Sequence, residues 1–162
     1  MLHRLSALLF RFRHSTRGAI LVETIIVVPI VTIFALGVAE FGTLLWTRQQ
    51  VQAGVRDAAR YWSRCTPVAG VSICTLDKAR RVAFYGMTDP PTVGCQSTSL
   101  RLKGWCLDSQ LTVTPATPSR TPGPTDVLTV TGTMTYSGSP VFRLVSRPIV
   151  YTYTVEARYI GW

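Results

Sequence analysis

A chain of 162 residues, 47% of them hydrophobic, has room for one domain and one anchoring segment, and its apolar residues are concentrated in the first third. The net charge of +9 does not by itself indicate a nucleic-acid partner, because four basic residues precede the apolar run with no acidic residue among them. No basic stripe with interleaved aromatic residues follows. We therefore predict no nucleic-acid partner, and a segment that prefers lipid to water.

Residues 1–18 have the composition of a basic leader. Their arginines are Arg4, Arg11, Arg13 and Arg17. Positive charge next to a membrane span tends to remain in the cytoplasm. This pattern predicts a cytoplasmic N-terminus, with the rest of the chain on the opposite side of the membrane.

Residues 19–46 are predicted to form a transmembrane helix. They are mainly Ile, Leu, Val, Ala, Phe and Gly, and 28 helical residues extend about 42 Å, more than the thickness of a bilayer core. The run is longer than the apolar region of a secretory signal peptide. Residues 47–64 keep one apolar face at helical spacing, which predicts an amphipathic continuation of the same helix.

Residues 65–162 are rich in Thr, Val, Ser, Gly and Pro, and we predict an extracytoplasmic, β-rich domain there. Asp77–Tyr85 is predicted to be a short second helix. The predicted strands are Val68–Cys74, Ser99–Trp105, Leu107–Thr114, Val127–Tyr136 and Ile149–Tyr159. The expected fold class is α+β and pilin-like, with a long N-terminal helix followed by a small antiparallel, disulfide-containing domain.

All four cysteines follow the apolar run, in a compartment that permits oxidation. Four cysteines allow three pairings, and short loops favour Cys65 with Cys74 and Cys95 with Cys106. Each such loop contributes about 2 to 3 kcal/mol in the chain-entropy model. A structural zinc site is the weaker interpretation, because there is no Cys-x-x-Cys spacing.

Catalysis is not predicted. Both histidines, His3 and His14, lie in the leader, and the carboxylates of the remaining chain are scattered without a motif around them. No glycine-rich phosphate loop is present. We therefore expect no enzyme activity, no cofactor, no metal and no small-molecule substrate.

The start of the apolar run contains an acidic residue that requires an explanation. Glu23 lies five positions after Gly18, and a carboxylate inside a membrane helix costs about 2 to 3 kcal/mol without a partner. If the chain is cut after Gly18, the new amine on Ala19, or that of a neighbouring subunit, can pair with Glu23. A cut between Gly18 and Ala19 would therefore explain the acidic residue at this position.

This stretch resembles the processing site of type IV pilin-like proteins, which implies cleavage between Gly18 and Ala19. The region from residue 17 to 62 resembles the TadE-like family of the tight-adherence (Flp) pilus machinery. The residues that carry the second resemblance are Val22, Glu23, Val28, Pro29, Gly37 to Gly42, Trp46, Gln49, Gln50 and Val55 to Tyr61. The resemblance implies a minor pilin or pseudopilin in the bacterial inner membrane, which takes part in the assembly or anchoring of a pilus. Its implied partners are a prepilin peptidase, pilin-like subunits and pilus assembly proteins.

Alternative interpretations remain at this point. Glu23 and Glu40 lie near the two ends of the span, where snorkelling makes charges tolerable. Gly37, Glu40 and Gly42 are the candidate positions for helix packing. The two glycines could admit a neighbouring helix, although their spacing of five differs from the four-residue spacing of a dimerisation motif. The alternative function is an uncleaved, membrane-tethered module whose outer domain binds a surface ligand.

Overall fold

The computed structural model describes residues 16–65, 74–117, 123, 126–139, 143 and 147–160. The chain divides into two compact units, Met1–Gly42 and Thr43–Trp162. The described part of the first unit is helical throughout. The second unit contains the end of the same helix, a second helix and a small sheet.

The first helix, α1, comprises Thr16–Ser63. The predicted long apolar helix at the N-terminus is therefore confirmed. It ends in a tighter turn, in which the amides of Arg64 and Cys65 bond to the carbonyls three residues earlier, those of Tyr61 and Trp62.

The second helix, α2, comprises Leu76–Tyr85 and agrees with the predicted element to within one residue. Its first turn is capped by Thr75, whose hydroxyl accepts from the amide of Lys78 at 3.2 Å. Its last turn ends at Gly86, which adopts a left-handed φ of 79° and donates its amide to the carbonyl of Val82. Both ends of α2 are therefore stabilised by local capping hydrogen bonds.

Three antiparallel strands form one sheet in the order β1-β2-β3 among the described residues: β1 is Leu111–Thr114, β2 is Val127–Tyr136 and β3 is Ile149–Arg158. On the central strand, Leu128, Val130 and Met134 are buried and alternate with more exposed residues. This is the period-two pattern expected of a half-buried strand. The predicted β-rich, antiparallel character is confirmed.

Two predicted strands differ from the structure. Ser99–Trp105 forms turns, because Gly104 has a φ of 85° and the amide of Trp105 bonds back to the carbonyl of Leu102. The strand expected at Leu107–Thr114 begins only at Leu111, after a 3₁₀ turn over Asp108–Gln110. The strand predicted at Val68–Cys74 lies outside the described residues except for Cys74.

The core of the second unit is centred on Trp105, which is fully buried and meets Phe84 edge to face, with ring centroids 5.0 Å apart. Two glycines leave room for this packing. A Cβ on Gly54 in α1 would lie 2.6 Å from the Trp105 ring and 2.5 Å from the carbonyl oxygen of Ala83, and a Cβ on Gly132 would collide with Val55. The core therefore depends on close approach between α1, α2 and the sheet.

Both cysteine pairs are at disulfide distance. Cys65 and Cys74 have Cα atoms 5.6 Å apart, and Cys95 and Cys106 have Cα atoms 5.3 Å apart. These are the two pairs that loop length favours. The first ties the end of α1 to the residue that precedes the cap of α2, and the second anchors the segment that carries Trp105.

Gly54→Ala is expected to destabilise the second unit. The added methyl has no room between the Ala83 carbonyl and Trp105, and overpacking costs about 1 to 3 kcal/mol, which lowers the melting temperature by about 5 to 10 °C. The melting temperature is measured by thermal unfolding of the full chain in detergent, monitored by near-ultraviolet circular dichroism. Gly37→Ala is the matched control, because no atom lies within 4 Å of its added Cβ. A Gly54→Ala protein as stable as wild type would contradict this packing.

The disulfide pairing is tested by non-reducing digestion and peptide mass spectrometry of the full chain. We expect one crosslinked peptide pair that contains Cys65 and Cys74, and another that contains Cys95 and Cys106. Recovery of either cross-pairing between the two sets as the main species would show that the pairing is wrong.

Candidate membrane and subunit-packing segment

The surface of α1 between Ile20 and Trp46 is apolar and almost wholly exposed. Ile25, Ile33 and Phe34 are 71%, 72% and 73% exposed, and they point in different directions around the helix. Among the described residues, this is the one helix whose length and composition suit a membrane span. Because exposed apolar area of this extent is unfavourable in water, the segment requires lipid or other protein around it.

Polar side chains within this stretch are largely satisfied by the helix itself. The hydroxyl of Thr24 donates to the carbonyl of Ile20 at 2.8 Å, and that of Thr32 donates to the carbonyl of Val28 at 2.7 Å. A hydroxyl that bonds to its own helix can enter hydrocarbon without an unpaired donor. Pro29 lies between them and lacks the amide that would bond to Ile25, as membrane helices tolerate.

Glu23 is the exception in this apolar surface. Its side chain is exposed, and no ion pair within the described part of the chain involves it. Residue 19 lies four positions earlier in α1, so the backbone nitrogen of Ala19 is one helical turn away on the same side. A positive charge at that nitrogen would be within reach of the carboxylate.

The expected cleavage site lies inside the helix. Gly18 and Ala19 are the third and fourth residues of α1, close to its start at Thr16. A glycine in a helix costs about 1 kcal/mol relative to alanine, which weakens the first turn at this point. Local opening of this turn would expose the Gly18–Ala19 peptide bond.

The three positions proposed for helix packing do not form one surface. At 3.6 residues per turn, Gly37 and Gly42 are about 140° apart around α1. A Cβ added at either glycine would have no neighbouring atom within 4 Å. Glu40 is partly buried and does have an interaction partner. Each glycine could therefore admit a separate neighbour, but not the same one.

An ion pair that sequence reasoning missed fixes α1 within the second unit. The guanidinium of Arg101 donates to the carboxylate of Asp57. Arg101 also passes within 2.9 Å of the position of a Cβ on Gly86. The wrong strand prediction for Ser99–Trp105 concealed this contact, because a turn brings Arg101 to α1 and a strand would not.

Tyr151 on β3 is partly buried. Burial raises its pKa to about 12, with a further increase from Tyr136 and an opposing effect from Arg48. The phenol therefore remains neutral at physiological pH. Nearby, Arg56 donates to the hydroxyl of Tyr153 at 3.1 Å and lies over its ring, 5.6 Å from the centroid.

Within the residues that the structure describes, no group of three His, Cys, Asp or Glu side chains could hold a metal ion. All four cysteines lie at disulfide distance from one another in pairs. The described residues thus offer a candidate membrane span and a unit with two cysteine pairs at disulfide distance as the features that bear on function.

Comparison with known proteins finds a similarity in the first part of the chain. No curated protein and no solved structure matches the chain significantly. One family does match, over residues 18–60, and its description is "TadE-like protein". The match begins at Gly18 and covers the exposed apolar segment, Glu23 and the part of α1 that packs in the second unit. Residues 18–60 of this chain are a TadE-like domain.

Proposed function

We propose that this chain is a minor pilin or pseudopilin that takes part in the assembly or anchoring of a tight-adherence pilus. The TadE-like domain links the chain to tight-adherence pilus systems, and that family is pilus-associated and non-enzymatic. In this proposal α1 is the single span of the bacterial inner membrane. The second unit lies in the periplasm or, after assembly, on the surface fibre.

The observation that carries the proposal is the exposed carboxylate of Glu23, one helical turn from the Gly18–Ala19 peptide bond. Cleavage after Gly18 by a prepilin peptidase would create an amine on Ala19, near enough to Glu23 to neutralise it. In an assembled structure, the same carboxylate can pair with the amine of the next subunit. Either pairing removes the cost of a lone charge in lipid, and the second also holds subunits in register.

Lateral packing would use the remaining surface of the same segment. The apolar side chains between Ile20 and Phe41 are exposed on every side of α1, so several neighbouring helices can contact it at once. Helices in lipid associate through close packing rather than through exclusion of water. Pilin-like subunits and pilus assembly proteins in the membrane are the partners that fit this surface.

Cleavage is tested by mass spectrometry of the intact protein purified from its native membrane. We expect a mature chain that begins at Ala19, and loss of that species when the peptidase gene is deleted. A chain that retains Met1 in piliated cells would contradict processing. It would favour the alternative, in which the helix serves only as a tether for an outer binding module.

Glu23→Ala is expected to abolish or strongly reduce piliation while the protein still accumulates in the membrane. The substitution removes the charge partner of the Ala19 amine and makes the span more apolar. Pilus counts by electron microscopy, together with immunoblots of membrane fractions, measure both effects. Glu156→Ala is the matched control, because Glu156 is exposed on β3, outside the TadE-like domain. Normal piliation in Glu23→Ala cells would contradict the proposed role of the carboxylate.

A further inference from the structure

The second unit contains a cavity of about 560 Å³, which is lined by apolar, polar and basic residues. Three stretches line it: the part of α1 at Trp46 and Thr47, the turn from Leu100 to Gly104, and the end of β2 with the residues that follow it, Met134 to Gly138. This volume lies in the range of small-molecule sites, about 300 to 1,000 Å³. The cavity belongs wholly to the second unit.

Part of the lining of this cavity is apolar. Leu102 and Met134 are buried, whereas the indole of Trp46 is 53% exposed. The hydroxyl of Tyr136, another lining residue, shares a hydrogen bond of 2.7 Å with the hydroxyl of Thr43.

The charge of the lining is positive. Lys103 is exposed at the cavity, while the nearby Arg101 is occupied by its ion pair with Asp57. No acidic residue is among the described residues that line the cavity. The surrounding chain has the same bias, since residues 43–162 contain 13 basic and 6 acidic residues. A ligand with a negative charge and an apolar part suits this arrangement.

The position of the cavity along the chain indicates what that ligand is. Trp46 and Thr47 lie at the end of the exposed apolar run of α1, where the chain leaves the bilayer core in the proposed function. Tryptophan and lysine are residues that prefer the membrane interface, where lipid headgroups lie. The most abundant molecule there with one negative charge and an apolar body is a phospholipid.

We propose that this cavity binds an anionic phospholipid. Lys103 contacts the phosphate, the Trp46 indole lies beside the glycerol region, and Leu102 with Met134 contacts the first methylenes of an acyl chain. The site would hold the second unit against the membrane surface near the end of the span. This inference rests on the membrane placement of α1 in the proposed function.

The test uses the full-length protein in a mild non-ionic detergent and native mass spectrometry. Phosphatidylglycerol and phosphatidylcholine with identical acyl chains are titrated separately, and the lipid-bound fraction gives an apparent Kd for each. We expect phosphatidylglycerol to bind about fivefold more tightly, the effect of one lysine near an anionic lipid. Equal affinity for the two lipids would overturn the proposal.

Three variants locate the binding. Lys103→Gln should raise the apparent Kd for phosphatidylglycerol about fivefold and leave the apparent Kd for phosphatidylcholine unchanged. Lys78→Gln removes the only other lysine, which lies on α2 outside the cavity, and should change neither affinity. Thr135→Trp places a large side chain in the cavity and should weaken the binding of both lipids. An effect of Lys78→Gln as large as that of Lys103→Gln, or no effect of Lys103→Gln, would contradict the site.

Two further outcomes separate this inference from the proposed function. Soluble glycerol 3-phosphate should not displace phosphatidylglycerol at equal concentration, and full displacement would show a site for a free phosphate ester instead of a lipid. If the protein needs detergent but shows no lipid preference, only the lipid site is wrong. If it remains soluble and monodisperse without detergent, the membrane placement itself is wrong, and the lipid site is wrong with it.

Discussion

The structure depends on one constraint: an apolar helical surface from Ile20 to Phe41 that the described residues of the first unit do not bury, with a carboxylate near its start. Water disfavours the apolar side chains and lipid disfavours Glu23. Both demands are met if the helix lies in a bilayer and a cationic group of protein reaches Glu23, as we propose. Cleavage after Gly18 would provide such a group within one helical turn.

The later part of the same helix packs in the core of the second unit. From Val51 to Trp62 its inward-facing residues are buried in the core of the second unit, and Gly54 admits the Trp105 indole at close range. The ion pair of Asp57 with Arg101 and the disulfide at Cys65 fix its end there. The TadE-like match over residues 18–60 therefore includes both the candidate membrane span and most of the part of α1 that packs in the second unit.

Much of this fold follows from local patterns in the sequence. The alternation in Val127–Tyr136 predicted β2 residue for residue, and the apolar run predicted the helix. Ser99–Trp105 was predicted wrongly, because Leu100 and Leu102 alternate as in a strand while the left-handed φ of Gly104 turns the chain. The Arg101–Asp57 pair and the cavity beside Lys103 depend on that turn, so periodicity could not reveal them. Glu23, by contrast, was evident as a charge within an apolar run.

The most direct test of the account is whether the full-length protein is integral to the membrane. Membranes that contain it are washed with alkaline carbonate, which strips peripheral proteins, and then extracted with detergent. The account predicts that the protein stays in the carbonate pellet and enters solution only with detergent, because residues 20–46 are surrounded by lipid. Release into the carbonate wash as a monodisperse protein in detergent-free buffer would contradict it.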